Sequence, residues 1–177
     1  MTCIVGINTG SKIIIAGDRM GSDGFTYGKY HEKVFAKDGF IFGVCGSYRV
    51  MQLIKHKFVI PKMNVGQAVD DYIYNDFTDG FISLIRQNNC AIKKDNIDSM
   101  EADLLFGFKD KLYGMYANFQ ILSNSRGYDA TGQGRYHAMS SLYIWWNCHM
   151  VKVHFNNLTN HIFNFTPTSC CFTSWKV

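Results

Sequence analysis

The sequence predicts an α+β protein in which two antiparallel β-sheets pack face to face between helices, a four-layer αββα sandwich. Three observations predict it. Short apolar strands fill the first 46 residues, two helical patterns follow, and a second group of strands precedes a third helix. Helices that are segregated from runs of strands favour sheets covered on their outer faces. A chain of 177 residues is long enough for one such core, so we predict a single domain over 1–177.

The chain begins with a predicted β-hairpin. Residues 3–8 and 12–17 are apolar and β-branched, and the turn-forming cluster Asn8 to Ser11 separates them. The run from Ile13 to Ala16 is apolar without alternation, which predicts a strand covered on both faces. Further strands are predicted over 25–31, 33–36 and 40–45.

Helical periodicity follows these strands. Ser47 is a candidate N-cap, and apolar residues recur at helical spacing until Pro61. A longer amphipathic helix is predicted from Val65 to Ile85, and the polar stretch 88–100 is predicted to be a loop. Strands are then predicted over 103–108, 111–116 and 119–122, and a third helix behind the segment Gly132–Gln133–Gly134.

Composition excludes several classes of protein. Hydrophobic residues make up 47% and charged residues 18% of the chain, which predicts a globular protein with apolar surface to bury in an oligomer. The net charge of +4 is scattered rather than clustered, which argues against nucleic-acid binding. No apolar run reaches membrane-spanning length and the N-terminus does not resemble a signal peptide, so we predict a cytoplasmic protein that does not associate with membranes.

The six cysteines show no disulfide framework and are predicted to be reduced thiols. Cys148 and His149 are followed by His154, His161 and the pair at 170–171, but none of these has the short repeated spacing of a zinc site. We therefore interpret them as scattered core or surface residues.

Three features stand where a sheet would direct them inward: Asp18–Arg19 at the end of the second strand, Lys33 before another strand, and Gly46 at a strand-to-helix corner. Thr2 precedes the first strand. Each alone has an ordinary interpretation. A charged residue beside a strand usually lies at the rim, and a glycine before a helix usually serves the turn.

Together these residues belong to a known pattern. The segments MTCIVGI, AGDR, KVF, GVCGS and DATGQG occur in that order, and in order and spacing they resemble the proteasome β-subunit family, in particular HslV-type peptidases and the short proteasome-like proteins of bacteria and their viruses. The resemblance covers roughly the first three quarters of the chain. It implies the fold of the N-terminal nucleophile (Ntn) hydrolases.

The resemblance also implies a mechanism. Removal of Met1 would leave Thr2 with both a hydroxyl nucleophile and a free α-amine, whose reference pKa of about 7.7 to 8.0 suits a base at neutral pH. Lys33 would favour the deprotonated hydroxyl, Asp18 would hold the lysine ammonium, and the Gly46 N–H would bind the oxyanion. Cys3 lacks the α-amine and, as a strand residue, points to the face opposite Thr2, so we assign it to the core.

The chain departs from the family at two points. Gln133 stands where many members carry a serine, and no acidic residue follows Asp129, so the family's later supporting aspartate has no counterpart. The tail segment FNNLTNHIFNF is similar to the HslV-type ending that binds a monovalent cation, which makes Asn156 and Thr159 candidate ligands. A capped helix followed by an edge strand is the alternative interpretation of this tail.

These patterns predict a threonine endopeptidase subunit that needs no cofactor and cuts unfolded polypeptides inside a homo-oligomeric ring of six or seven subunits, single or double. The resemblance implies an AAA+ ATPase unfoldase as partner. An inactive structural member of the same fold is the alternative, and a hydrolase of small amides is a third class. Cleavage preference is expected to depend on side chains near Met20, Tyr30, Val44 and Tyr48.

Overall fold

The computed structural model describes residues 2–22, 27–29, 32–94, 96–155 and 173–176. The strands are β1 (Ile4–Asn8), β2 (Ile13–Gly17), β3 (Met20–Ser22), β4 (Tyr27–Lys29), β5 (Val34–Lys37), β6 (Phe40–Gly46), β7 (Ile92–Lys94), β8 (Ile97–Ser99), β9 (Ala102–Phe108), β10 (Lys111–Met115), β11 (Ile121–Ser123), β12 (Tyr128–Thr131) and β13 (Thr173–Lys176). The helices are α1 (Tyr48–His56), α2 (Val69–Tyr72), α3 (Thr78–Gln87) and α4 (Arg135–Phe155), with a π-helical turn at Ile73–Phe77 between α2 and α3.

Two antiparallel sheets form the centre of the molecule, which confirms the predicted fold class. In the part of the chain that the structure describes, sheet I has the order β12-β1-β2-β13 and sheet II has the order β11-β10-β9-β6-β5. Their inner faces meet in a buried aliphatic layer made of Ile4, Ile13, Ile15, Val34, Ile41, Leu105 and Leu112. Glycines let the sheets approach closely: a Cβ on Gly43 would lie 2.5 Å from the Ile4 side chain.

Helices cover the outer faces. The outer face of sheet II packs on α1, α2 and α3 through a large aromatic core, in which Phe40 and Phe77 stack with ring centroids 5.0 Å apart. On the outer face of sheet I, α4 lies against β12, and the rings of Tyr128 and Trp146 are 5.5 Å apart. Within the described residues, no helix combines the length and apolar character needed to cross a bilayer.

The helix predicted from Val65 to Ile85 differs from the observed one at its start and in its middle. Val65 is fully exposed, and the helical segment begins at Val69. The buried residues Ile73, Phe77, Phe81 and Ile85 recur every four positions, a longer period than the 3.6 residues of an α-helix. The π-helical turn adds backbone at this point and keeps these side chains on one face.

The prediction of a loop over 88–100 is wrong in part, because β7 and β8 form a hairpin there. Ile92 and Ile97 are exposed, so the hairpin lacks the alternating burial from which strands are recognised. The Arg86 side chain donates to Asp98 at 2.6 Å and ties the hairpin to α3. Strand β3 was also not predicted, and the ends of the predicted strand 25–31 lie outside the described residues.

Asp129 places a carboxylate between the two sheets. It pairs with Gly6 of β1, a position that faces the Leu105 and Leu112 side chains of sheet II. Burial raises the pKa of the Asp129 carboxyl, and the hydrogen bond from the Ala130 N–H partly offsets this rise. Folding therefore shifts this carboxyl toward its neutral form relative to the unfolded chain.

We expect Asp129→Asn to raise the unfolding midpoint near pH 7. A carboxyl whose pKa is raised on folding destabilises the native state once the pH exceeds its unfolded value of about 3.9, and the penalty is absent below that value. The amide stays neutral and keeps an oxygen acceptor for Ala130. Thermal unfolding near pH 7 and again below the unfolded pKa of about 3.9 checks this, with the exposed Asp110→Asn as control. A lower midpoint for Asp129→Asn near pH 7, or a gain of the same size at both pH values, would contradict the assignment.

Candidate active site

Two neighbouring strands of sheet I bring Thr2 and Asp18 together. The register of β1 and β2 pairs Ile4 with Gly17, so the residues just beyond this pair lie side by side. The Asp18 N–H donates to the Cys3 carbonyl at 3.2 Å, and the Cys3 N–H donates back to the Asp18 carboxylate. Sheet II supplies the third residue, because Lys33 immediately precedes β5 on the facing edge.

The Lys33 ammonium joins these groups. Its Nζ donates to Thr2 Oγ1 at 2.7 Å, to Asp18 Oδ1 at 2.8 Å and to the Met20 carbonyl. These bonds account for all three donors of an ammonium group. The side chain is only 5% exposed, and such a buried charge requires a partner of opposite sign, which Asp18 provides.

Backbone amides fix the Asp18 carboxylate in turn. Oδ1 also accepts from the Met20 N–H at 2.7 Å, and Oδ2 accepts from the Cys3 N–H. A carboxylate held by two N–H groups and an ammonium has little rotational freedom. The position of the lysine relative to Thr2 is therefore set by the backbone just before β1 and at the start of β3.

Gly46 is the last residue of β6 and lines the same cavity as Thr2 and Lys33. The Val44 N–H donates to the Lys33 carbonyl at 2.9 Å, whereas the Ser47 N–H donates to Glu101 on the opposite side at 2.8 Å. Since successive N–H groups of a strand alternate in direction, the Gly46 N–H points to the side of Lys33 and Thr2. Gly46 has φ +99°, and a Cβ there would lie 2.3 Å from the Glu101 carbonyl oxygen, so only glycine fits.

The segment Gly132–Gln133–Gly134 packs against the start of β1. The Gly134 N–H donates to the Thr2 carbonyl at 3.1 Å. Gly132 has φ +92°, and a Cβ on it would lie 2.3 Å from the same carbonyl oxygen. The two glycines allow this close approach. Gln133 is exposed between them and lines the cavity in front of Thr2.

Two thiols lie near the Lys33–Asp18 ion pair. The Cys45 thiol lies within hydrogen-bonding reach of the Thr2 side chain, and burial, followed by the charge of Asp103, raises its pKa. Burial and the charge of Asp18 likewise raise the pKa of Cys3. Thiols with raised pKa values are largely protonated at neutral pH and are poor nucleophiles.

A cavity of about 320 Å³ opens beside Thr2. We call it the Thr2 pocket; it is lined by Thr2, Met20, Gly21, Lys33, Val44, Cys45, Gly46, Ser47, Tyr48, Met51 and Gln133. Met20, Val44 and Tyr48 lie in its wall, as expected from the sequence, whereas Tyr30 lies outside the described residues. Met51 was not predicted; its position one turn after Tyr48 on α1 is the signal that would have identified it.

The structure brings together Thr2, Asp18, Lys33 and Gly46 at this end of the sandwich. Asn156 and Thr159 lie outside the described residues, so the predicted cation site stays a prediction. Among the described residues, no group of three or more His, Cys, Asp or Glu side chains is arranged to hold a metal ion.

Comparison with solved structures relates this fold to proteasome-like proteins. BPH of Thiobacillus denitrificans matches with a TM-score of 0.65 at 17% identity over 81% of this chain and 78% of that one. HslV of Trypanosoma brucei matches with a TM-score of 0.54 at 15% identity over 81% and 79%. Anbu (ancestral beta-subunit) of Yersinia bercovieri gives 0.52 at 15% identity over 76% and 62%. The chain thus has the proteasome-like Ntn-hydrolase fold, which confirms the resemblance at the level of the fold.

Comparisons of the sequence alone identify no relative. No protein-family model matches the chain, and no curated protein sequence matches it significantly.

We expect Gly46→Ala to destabilise the protein more than Gly10→Ala does. Both glycines have positive φ, which costs an alanine about 1–2 kcal/mol. A Cβ at Gly10 meets open space, whereas one at Gly46 meets the Glu101 carbonyl. Urea unfolding of the two variants isolates the effect of that contact. Equal losses would show that the backbone at Gly46 relaxes freely and that the corner is not fixed.

Proposed function

We propose that this chain is a threonine-type peptidase in which Thr2, exposed as the N-terminal residue by removal of Met1, is the nucleophile. One observation carries the proposal: the Lys33 ammonium donates at once to Thr2 Oγ1 and to Asp18 Oδ1. An ammonium directed at a hydroxyl oxygen stabilises the alkoxide that must form during attack.

The α-amine of Thr2 is the base in this proposal. Lys33 donates all its protons to acceptors, so it does not take the proton of the Thr2 hydroxyl. The α-amine of Thr2, attached to the same residue, accepts that proton as Oγ1 attacks the carbonyl carbon. The Gly46 N–H donates to the resulting oxyanion, a contribution worth roughly 2.7–4 kcal/mol where such a donor has been removed.

Collapse of the tetrahedral intermediate completes the first half of the reaction. The C–N bond breaks, the leaving amine takes the proton from the α-ammonium, and an ester forms on Thr2 Oγ1. A water molecule, deprotonated by the same α-amine, then attacks the ester carbonyl carbon. The bond between this carbon and Oγ1 breaks, the α-ammonium returns its proton to Oγ1, and the acid is released. No external oxidant, reductant or cofactor is required.

Assembly and partners extend this proposal. We propose a homo-oligomeric ring of six or seven subunits, single or double, that admits unfolded polypeptides supplied by an AAA+ unfoldase. The similarity in fold to HslV supports this, and so do exposed apolar side chains on α4. Among the side chains of this helix that the structure describes, four large apolar ones are exposed: Tyr136, Tyr143, Ile144 and Trp145. Exposed aromatic and aliphatic clusters mark protein interfaces.

An inactive structural subunit of the same fold is the second candidate. It is favoured by Gln133, which replaces the serine found in many family members, and by the absence of any acidic residue after Asp129. Both departures concern groups that support the α-amine rather than the hydroxyl. The two candidates differ in one measurable property, the reactivity of Thr2.

A peptide epoxyketone tests that reactivity because it needs both the hydroxyl and the free amine; one solved structure of the Thiobacillus denitrificans protein contains epoxomicin. We expect intact-mass measurement of the native protein to show one epoxomicin adduct per chain. Thr2→Ala should abolish the adduct, and Lys33→Met should slow it by roughly 10²–10³-fold through loss of alkoxide stabilisation.

The exposed Thr9→Ala variant is the matched control and should react like the native chain. Circular dichroism establishes that each variant is folded. An unreactive native protein would favour the structural subunit, and a Thr2→Ala variant labelled as fast as the native chain would exclude Thr2 as the nucleophile.

A further inference from the structure

We infer that the Asp103 carboxylate supports the α-amine of Thr2 as a base, by stabilising the α-ammonium that forms when this amine takes the hydroxyl proton. The inference rests on the proposed function and adds a residue to it. It follows from the charges around Thr2, from the register of β6 and β9, and from a second cavity that adjoins the Thr2 pocket.

The charges around Thr2 leave the α-ammonium without a partner. This cation forms on the residue whose hydroxyl oxygen lies 2.7 Å from the Lys33 ammonium. A like charge this close lowers the pKa of an amine and weakens it as a base. Asp18 offsets the charge of Lys33, but its carboxylate already accepts from Lys33 and from the N–H groups of Met20 and Cys3. A second cation is therefore best stabilised by a different carboxylate.

The register of sheet II brings Asp103 to the Thr2 side of the sheet. Cys45 of β6 pairs with Asp103 of β9, so the two side chains lie on the same face. That face is directed at Thr2, because the Cys45 thiol lies within hydrogen-bonding reach of the Thr2 side chain. A Cβ on Gly132, which contacts the Thr2 carbonyl, would also lie 3.1 Å from Cys45 Sγ. Asp103 is thus one strand farther from Thr2 than Cys45 is.

A second cavity adjoins the Thr2 pocket at this point. We call it the Asp103 cavity; it is lined by Cys45, Asp103, Gly132, Gln133, Arg135 and Tyr136. Cys45 and Gln133 also line the Thr2 pocket, so the two cavities meet at these side chains. Among the described residues that line either cavity, Asp103 alone is acidic.

The charge of Asp103 is only partly compensated. Its Oδ1 accepts from the Ala117 N–H at 3.0 Å, which fixes the side chain. Within the described ranges, no donor reaches Oδ2 and no ion pair includes this carboxylate. Arg135 lines the same cavity, but its guanidinium donates to the Tyr136 hydroxyl at 2.8 Å and lies over that ring. Asp103 therefore acts on Thr2 through its charge, and Arg135 opposes it.

Several other groups at this end of the sandwich titrate or carry charge. Burial is the main cause that raises the pKa of Cys3, Cys45 and Tyr116, so these three stay protonated at neutral pH. Burial also raises the pKa of the Asp129 carboxyl. By element, the groups are Cys3 before β1, Asp18 after β2, Lys33 before β5, Cys45 on β6, Asp103 on β9, Tyr116 after β10, Asp129 on β12, and Arg135 and Tyr136 on α4.

The pKa of the α-amine, measured by NMR, tests the inference. The full chain is cleaved from a fusion partner directly before Thr2, and the ¹³C chemical shifts of Thr2 are followed with pH. Asp103→Asn keeps the acceptor for the Ala117 N–H and removes the charge, so we expect this pKa to fall by about half a pH unit or more. Arg135→Gln removes the opposing cation and should raise it. An unchanged pKa in Asp103→Asn, or shifts of the same sign in both variants, would overturn the inference.

Two variants control for position. Asp110→Asn removes the same charge at the far end of β1, where Asn8 donates to the Asp110 carbonyl at 2.6 Å. Asp129→Asn removes the other carboxyl with a raised pKa near the site. Both should keep the amine pKa near its native value, and circular dichroism establishes that each variant is folded. A shift in either control as large as that of Asp103→Asn would overturn the assignment to Asp103.

The pH dependence of epoxomicin labelling separates this inference from the proposed function. If Thr2 is the nucleophile, the rise of the labelling rate with pH follows the α-amine. This rise should move to lower pH in Asp103→Asn and to higher pH in Arg135→Gln. The rate at its plateau should fall roughly 2-fold or more in Asp103→Asn, because a weaker base assists less. A labelled protein whose profile does not move in Asp103→Asn would overturn the inference. If nothing is labelled, the proposed function fails, and the NMR titration still decides whether Asp103 stabilises the ammonium.

Discussion

The buried Lys33 ammonium is the interaction on which this end of the molecule depends. A lysine that is 5% exposed is stable only where its charge is paired and each of its donors is bound. Its acceptors come from three places: Thr2 in the segment before β1, Asp18 directly after β2, and the carbonyl of Met20 at the start of β3. One side chain next to the edge strand of sheet II thereby links three strand ends.

Close packing of backbone around Thr2 is the second constraint. Gly46 and Gly132 both adopt positive φ, and in both a Cβ would lie 2.3 Å from a carbonyl oxygen. Gly132 lets the loop after β12 approach the Thr2 carbonyl, whereas Gly46 lets the end of β6 approach Glu101 directly before β9. The Gly46 N–H lies on the side of β6 that faces Lys33 and Thr2, because the N–H groups of Val44 and Ser47 on either side of it fix the alternation of the strand.

Much of the fold could be predicted from the sequence because its signals are local. The turn cluster after Asn8 and the apolar strand residues fixed the first hairpin, and the apolar stripe from Val69 onward marked the second helical segment. The β7–β8 hairpin was missed because its strands are exposed and carry no alternating pattern. The π-helical turn was missed because apolar spacing alone does not reveal how the backbone accommodates it.

The site shows the same division between local and long-range information. Thr2, Asp18, Lys33 and Gly46 were selected through motif order, whereas the bonds that join them span up to 31 positions of the chain and depend on sheet packing. Cys45 was set aside with the other thiols, although it lies beside the Thr2 side chain. Met51 was missed because a buried methionine on a helix has the same pattern whether it faces a core or a cavity.

The central claim is that Thr2 carries a free α-amine in the native protein, since the proposed proton transfer has no other base. The most direct measurement is the mass of the N-terminal peptide of the protein purified from its native source. A peptide that begins at Thr2 is the result predicted. A peptide that retains Met1 or any preceding residue would contradict the account, because the amine would then be part of an amide bond and unable to accept the proton.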